Sequence, residues 1–305
     1  MATTTDSTAA ELTAVTPAIA PSPSALRRAR RPRAVLWLAL PLAFIALIVL
    51  IVPALGILPD PHRQHLDETL LPPFFLDGGS MSHPLGTDKL GRDLLSRLVT
   101  GGRLTFLIGI VGTIVAIVPG TLIGLLAGYK RGWVDTVVSR FIEAQLALPF
   151  VLIALAIIAN RGSSLGVLIV VLALTGWAPC ARVVRAETMA VRERQFVLGL
   201  RAAGASSARI VLRHVLPNLT GVIVVLATLQ VGTAILIESA LSFLNLGIQP
   251  PDISWGQILA SGREVLTQAW WISTFAGVAI TVVVLLVNLL GDALLSHYDP
   301  KKRKF

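Results

Sequence analysis

Residues 104–129 read LTFLIGIVGTIVAIVPGTLIGLLAGY, a continuous run without a charged side chain. A helix needs about 20 apolar residues to cross a bilayer core of roughly 30 Å, so this run predicts a membrane-spanning helix. Similar long apolar runs lie before and after it in the sequence. Six spans are predicted in all, at residues 35–58, 104–129, 141–160, 165–184, 219–244 and 272–295. The predicted fold class is an all-α integral membrane protein.

The composition supports a membrane protein over a soluble enzyme. Of the 305 residues, 54% are hydrophobic and only 14% are charged, whereas soluble domains average about 25% charged residues. The single cysteine, Cys180, excludes an intrachain disulfide and a cysteine-clustered metal site. His62 and His65 lack a third nearby ligand, so no metal site is predicted. The sequence carries no catalytic motif, and no catalytic residue is predicted.

The net charge of +9 lies in short clusters between the apolar runs, which disfavours a nucleic-acid-binding face. If the N-terminus is cytoplasmic, 19 of the 26 Lys and Arg residues fall inside and 7 outside. The positive-inside rule therefore predicts that both termini are cytoplasmic. Residues 1–34 are predicted to be a disordered basic N-tail, residues 35–58 a retained anchor, and residues 297–305 a basic C-tail.

Residues 59–103 are predicted to lie outside the cytoplasm and to include a short interfacial helix. Leu90, Leu94 and Leu98 recur at helical spacing, and Thr87 could cap the start of such a helix. This helix would lie flat in the outer interface or contact another protein there. Residues 104–296 would then form a five-helix core.

The loop at residues 185–217 contains the stretch FVLGLRAAGASSARIVLRHVLP at residues 196–217. The stretch predicts two short helices broken at Gly204, because glycine accepts the positive φ that closes a helix. Ser206 is predicted to cap the second helix, and Pro217 to stop or kink it. Such a small, basic knob would dock a partner protein, or it would be a solvated loop held near anionic lipid.

The stretch resembles the EAA loop of ABC-importer permeases, the coupling helix that docks on an ATPase subunit. Gly204 and Leu216-Pro217 match in register, but Leu198–Leu200 replaces the Glu-Ala-Ala triplet and His214 replaces the usual Ile. The resemblance implies a coupling role for the following residues: Arg201, Ala202, Ala203, Gly204, Ala205, Ser206, Arg209, Leu216 and Pro217.

A second stretch, HPLGTDKLGRDLLSR at residues 83–97, closely resembles a signature of the dipeptide/oligopeptide/nickel permeases. It is typical of their C-type, DppC/OppC-like subunits, and segments 132–135, 241–247 and 288–292 match that family as well. The resemblance implies a six-span type I importer permease with a MetI-like fold. The signature residues placed at the outer interface are His83, Gly86, Thr87, Asp88, Gly91, Arg92, Asp93, Ser96 and Arg97.

The resemblance also implies partners and a location. They are a B-type permease subunit, one or two ABC ATPase subunits that bind ATP and Mg, an extracytoplasmic solute-binding protein and a peptide substrate, in the bacterial cytoplasmic membrane. This chain itself would hold no cofactor. Relatives carry dipeptides, oligopeptides, glutathione, haem or nickel chelates, which leaves the substrate open. The alternative function is a stand-alone secondary transporter or channel.

Two features of the spans leave alternatives open. Gln230 and Glu238 are eight residues apart on the fifth span, so they share a face that lines an aqueous pathway or forms a structural pair. Gly120, Gly124 and Gly128 form a stripe that allows close helix packing. That packing would occur within this subunit or against a second permease subunit.

Overall fold

The computed structural model describes residues 31–298, and every regular segment in that range is helical. The predicted N-tail and C-tail therefore lie mostly outside the described residues. The first helix begins at Arg31, four residues before the predicted span. The helices are α1 (Arg31–Ile51), α2 (Leu94–Lys130), α3 (Gly132–Ala147), α4 (Phe150–Arg161), α5 (Leu165–Arg192), α6 (Gln195–Ala202), α7 (Ser207–Ile210), α8 (Leu216–Phe243), α9 (Trp255–Arg263) and α10 (Trp270–Tyr298).

Five stretches among the described residues are long and apolar enough to cross a membrane, and the third predicted span coincides with a bent pair of helices. The prediction of one helix over residues 141–160 is wrong, because α3 and α4 meet at an angle of 84°. Leu148 and Pro149 at the break are both extended, with ψ of 127°. Proline disfavours helical backbone at the residue before it, which explains why α3 ends at this point. The bent pair counts as one span in a six-span arrangement.

The predicted separate interfacial helix around Leu90 and Leu94 is also wrong. Residues 52–93 form turns and irregular backbone, and α2 begins only at Leu94 and continues unbroken to Lys130. Its cap is Asp93 and not Thr87, since the Asp93 carboxylate accepts a hydrogen bond of 2.7 Å from the Ser96 backbone N–H. The leucine spacing placed the start of the helix too early. Gly86 and Gly91 have positive φ and turn the chain just before α2 begins.

The glycine stripe on α2 packs inside this subunit, against α5. A Cβ atom at Gly120, Gly124 or Gly128 would stand 2.6 to 2.7 Å from a carbonyl oxygen of α5. Those carbonyls belong to Trp177, Ala181 and Arg185, which follow the same four-residue spacing. The two backbones therefore touch along two turns, and the alternative that the stripe faces a second permease subunit is wrong.

The remaining long helices surround this pair. α8 packs against α2, α5 and α10, and α1 lies along α10 and α2 on the outside of the bundle. The largest core cluster joins Trp255 of α9 and Trp271 of α10 to Ile235 of α8 and Leu94 of α2. α9 and the turns of residues 52–93 close one end of the bundle, and α6 and α7 close the other.

Candidate functional site

The knob, defined as residues 195–210, has the predicted break at Gly204. Gly204 has φ of +79°, its N–H donates to the Arg201 carbonyl at 3.0 Å, and the Ala205 N–H donates to the Leu200 carbonyl at 3.0 Å. These two bonds form a Schellman motif, which requires a left-handed residue directly after the helix end. Nothing lies within 4 Å of where a Gly204 Cβ would be, so the turn is open to the surroundings.

One face of the knob is anchored and the other is free. Val197, Ile210 and Val215 are fully buried in a cluster with Tyr129 of α2 and Val191 of α5. The tip of the knob is exposed in the described structure, at residues Ala202, Ala203, Gly204, Ser206, Ser207, Ala208 and Arg209. The knob therefore presents small side chains and one arginine on a base held by the ends of two long helices.

The two arginines predicted to act alike have different surroundings. The Arg201 guanidinium carbon lies 4.9 Å from the centre of the Tyr129 ring, within reach of a cation–π interaction. Arg209 is exposed at the tip. Arg201 therefore faces the base of the knob, whereas Arg209 points away from it.

The passage from the knob into α8 is a π-helical turn at Val211–Val215. Ser206 occupies the predicted N-cap position of α7, but its side chain makes no capping bond. Pro217 lies in the first turn of α8 and neither stops nor sharply kinks the chain, because residues 207–243 pass as one span. Proline has no N–H to donate, and the wider turn before it accommodates that loss. The Asn218 side chain donates to the His214 carbonyl at 2.7 Å.

Two ion pairs at the base of the knob were not predicted. Arg185 of α5 forms a bidentate pair with Asp135 of α3, with one N–O distance of 2.8 Å. Arg131 pairs with Glu193 at 2.9 Å, across the ends of α2 and α5. The partners are 50 residues apart in the first pair and 62 in the second, which no local pattern reveals. Asp135 does lie in the family-like segment 132–135, and that was its only sequence signal.

The signature residues form what we call the outer knot, residues 65–97. His83 is buried between two carboxylates, with Nδ1 3.0 Å from Asp93 Oδ1 and Nε2 3.2 Å from Glu68 Oε2. The second oxygen of Asp93 accepts hydrogen bonds of 2.7 Å from the N–H and the hydroxyl of Ser96. These contacts attach the irregular segment to the first turn of α2.

Asp88 is the second centre of the outer knot. One carboxylate oxygen accepts from the Leu90 and Arg92 N–H groups at 2.9 and 3.1 Å. The other lies 2.7 Å from Arg92 Nε and 3.4 Å from Arg97 Nε. Asp88 and Arg97 are almost fully buried, so each neutralises a charge that would be costly alone.

Close backbone approach explains the remaining signature residues. A Cβ atom at Gly91 would collide with the His65 carbonyl oxygen, and one at Gly86 would stand 2.5 Å from the Leu71 carbonyl oxygen. The Thr87 hydroxyl donates to the Glu68 carbonyl at 2.5 Å and accepts from the Leu71 N–H at 2.8 Å. All nine signature residues thus contribute to one compact structure rather than to an amphipathic helix.

Glu238 does not line an aqueous pathway in this structure. It is fully buried, and its carboxylate accepts hydrogen bonds from Ser242 at 2.8 Å and from Ser254 at 2.7 Å. Ser239 lies at 3.4 Å. Because Ser254 also caps α9, the carboxylate ties α8 to α9. These contacts favour the structural alternative for Glu238, with serines and not Gln230 as its partners, and a pathway role for Glu238 stays a prediction.

Gln230 has a different environment. It is half-buried, and its side-chain amide lies against Gly176 of α5, where a Cβ would be only 2.5 Å from Nε2. It therefore packs at the junction of α2, α5 and α8. A pathway role for Gln230 stays a prediction.

Charged side chains meet instead at a cavity of about 410 Å³ beside the outer knot. Its walls carry Lys89, Arg92 and Asp252, and the buried Oε1 of Gln257 has no hydrogen-bond partner among the described residues. Lys89 also donates to Glu264 at 2.6 Å, and this hydrogen bond lowers the pKa of Glu264. Among residues 31–298, no group of three or more His, Cys, Asp or Glu side chains could hold a metal ion.

A bundle of long apolar helices, closed by the outer knot at one end and by the knob at the other, is typical of an integral membrane protein. Residues 120–304 match the family described as binding-protein-dependent transport system inner membrane component. The chain belongs to this family, and the predicted permease fold is confirmed.

Similar proteins are bacterial permeases. The di/tripeptide transport system permease protein DppC of Pseudomonas aeruginosa is 42% identical over 79% of this chain and 80% of its own length. The dipeptide transport system permease protein DppC of Bacillus subtilis is 37% identical over 86% and 81%. The glutathione transport system permease protein GsiD of Pectobacterium atrosepticum is 38% identical over 74% and 75%.

A solved structure supports the fold. The MetNI methionine ABC transporter, in an inward-facing conformation, matches with a TM-score of 0.57 at 20% identity. The match covers 67% of this chain and 97% of that one.

Proposed function

We propose that this chain is the C-type transmembrane subunit of an ATP-driven importer that moves dipeptides or short oligopeptides into the cytoplasm. The observation that carries the proposal is the knob, in which a Schellman turn exposes small side chains on a rigid base. The cargo is inferred from the DppC relatives at 37 to 42% identity. The GsiD relative makes glutathione the main competing cargo.

The knob would dock on a cytoplasmic ABC ATPase subunit. Small residues at Ala202–Gly204 would let a partner approach the backbone closely. The buried cluster beneath them would transmit a displacement of the knob to α2, α5 and α8. ATP and Mg would be bound and hydrolysed by the ATPases, and this chain would switch the pore between its inward- and outward-facing states. A B-type permease would supply the other half of the pore.

The outer knot would meet an external solute-binding protein. Phe74, Phe75 and Met81 are exposed within it, and apolar exposed groups are typical of docking surfaces. The charged cavity beside Lys89 and Asp252 offers both signs of charge to a zwitterionic peptide. With both termini cytoplasmic, the knot would face outward from the bacterial cytoplasmic membrane.

Reconstitution tests this proposal. The chain is co-expressed with the other subunits encoded beside it, purified, and placed in vesicles that contain ATP. We expect ATPase subunits to co-purify and a labelled dipeptide to accumulate only with ATP and a binding protein. Uptake of glutathione with no uptake of dipeptide would overturn the cargo, and uptake by this chain alone would overturn the importer.

A further inference from the structure

A cavity of about 760 Å³ lies between the inner face of the knob and the last turns of α2 and α5. Ser207 and Ala208 of the exposed tip border it, but Gly204 and the turn that would meet an ATPase do not. Its apolar walls are formed by Leu122, Leu125, Leu126, Val211 and Leu212, and its polar end by Tyr129, Lys130, Arg192 and Arg201.

Among the described residues, no carboxylate lines the polar end. The Tyr129 hydroxyl and the Nε and Nη1 atoms of Arg192 are buried without a hydrogen-bond partner among the described residues. Both Arg192 and Arg201 lie over the Tyr129 ring, at 5.7 and 4.9 Å from its centre. Glu193, the neighbouring acid, is already paired with Arg131. Buried donors of this kind are normally satisfied, so three unpaired polar atoms at one cavity indicate a missing anion.

The apolar end of the cavity is exposed. Leu122, Leu126 and Leu212 are 60%, 47% and 63% exposed, and they lie on stretches long and apolar enough to cross a membrane. From Leu122 to Lys130 the helix rises about 12 Å, so the lining changes from wholly apolar to cationic over that distance. A small anion would leave these leucines uncovered, whereas an amphiphile fits both ends at once.

We propose that this cavity binds one anionic phospholipid, with its phosphate at Arg192, Arg201 and Tyr129 and its upper acyl chains along the leucines. The inference goes beyond the proposed transport function and does not depend on the cargo. In the proposed orientation the lipid belongs to the cytoplasmic leaflet. It would fill the space behind the knob and brace the knob against α2 while the opposite face meets the ATPase.

Native mass spectrometry of the full-length chain in detergent tests the site. Dioleoyl phosphatidylglycerol and dioleoyl phosphatidylcholine are titrated separately. The test variant is Arg192→Gln with Arg201→Gln, and the matched control is Arg194→Gln with Arg213→Gln, which removes the same charge from exposed positions outside the cavity. We expect the wild type to prefer phosphatidylglycerol. The test variant should bind it about thirtyfold more weakly, at roughly fivefold per basic residue near an anionic lipid. The control should bind it unchanged.

A second variant addresses the acyl chains and does not disturb the arginines. Leu212→Gln should weaken phosphatidylglycerol binding several-fold, whereas Leu236→Gln, at an exposed leucine of α8 outside the cavity, should not. Glycerol 3-phosphate, which has no acyl chains, should not displace the lipid.

Three results would overturn the proposal. Equal losses of phosphatidylglycerol binding in the test and control variants would show that general surface charge, and not the cavity, binds the lipid. Displacement of the lipid by glycerol 3-phosphate would indicate a small-anion site. Binding to the isolated chain but not to the assembled transporter would make the cavity a protein interface.

Discussion

The shape of the knob depends on Gly204, because the turn there needs a residue without a Cβ. Its φ of +79° lies in the left-handed region, where a side chain with a Cβ is strained by about 1–2 kcal/mol. The empty space around it means that a substitution there costs backbone strain and no internal collision. The turn itself, and not the packing, is therefore what a mutation at Gly204 changes.

We expect Gly204→Val to leave membrane insertion intact and to reduce both ATPase co-purification and ATP-driven uptake several-fold. A β-branched residue is poorly accommodated at positive φ, so the Schellman turn would rearrange and the tip would lose its docking shape. Gly199→Val is the matched control, because Gly199 also has open space but lies within α6. If Gly204→Val transports like the control, the knob is not the coupling element.

Glu238 gives a second prediction for a single residue. Glu238→Leu should lower the free energy of unfolding by about 2 kcal/mol, because the Ser242 and Ser254 hydroxyls would lose a buried acceptor. Glu238→Gln retains one acceptor oxygen and should be milder. Thermal unfolding in detergent measures both. Uptake per folded molecule should stay near wild type in Glu238→Gln, and a large loss there at unchanged melting temperature would restore a pathway role.

At the scale of elements, the contact between α2 and α5 holds the bundle together. Three glycines of α2 touch carbonyls of α5 that are four residues apart, and the two helix axes approach this closely because glycine has no side chain. Small residues matter in lipid because helices there gain mainly packing contacts and little hydrophobic burial.

Gly124→Val tests this contact. Its side chain would meet the Ala181 carbonyl at 2.7 Å and Val184 Cβ at 2.9 Å, and neither can move without shifting α5. We expect a much lower yield of folded protein and a lower melting temperature in detergent. Gly166→Val, in the first turn of α5 with nothing within 4 Å, should behave like wild type. Equal stability of the two variants would contradict the close contact.

At the scale of the whole molecule, one helix joins the two ends. α2 has 37 residues, so it is about 56 Å long, and it begins in the outer knot at Asp93 and ends beside Tyr129 under the knob. The outer knot and the knob are thus attached to the same rigid element. A movement of the knob relative to α2 would first change the shape of the cavity between them.

The whole molecule has a predicted orientation in the membrane, with the knob on the cytoplasmic side. A reporter active only outside the cytoplasm should be active when inserted after Gly79 or Leu266, both on turns at the outer-knot end. It should be silent after Arg194. The excess of basic residues on the knob side gives the physical reason. Activity after Arg194 would reverse the orientation and remove the coupling role of the knob.

The apolar runs by themselves determined the helical membrane fold, since each span satisfies its own backbone hydrogen bonds and needs only length and hydropathy. The break between the two short helices at Gly204 was also predictable from local sequence, because it depends on the φ angle of one residue. The third span was mispredicted where Pro149 breaks it, although that signal is present in the sequence.

Only the tertiary structure decided which residues meet. Leu90, Leu94 and Leu98 suggested a helix, but the start of α2 was set by Asp93, His83 and Glu68 coming together from separate turns. The serine partners of Glu238 and the pairing of Arg185 with Asp135 likewise join distant segments. The cavity at Tyr129, Arg192 and Arg201 has the same origin. Spacing along one helix reveals a shared face, whereas contacts between helices depend on how the whole bundle packs.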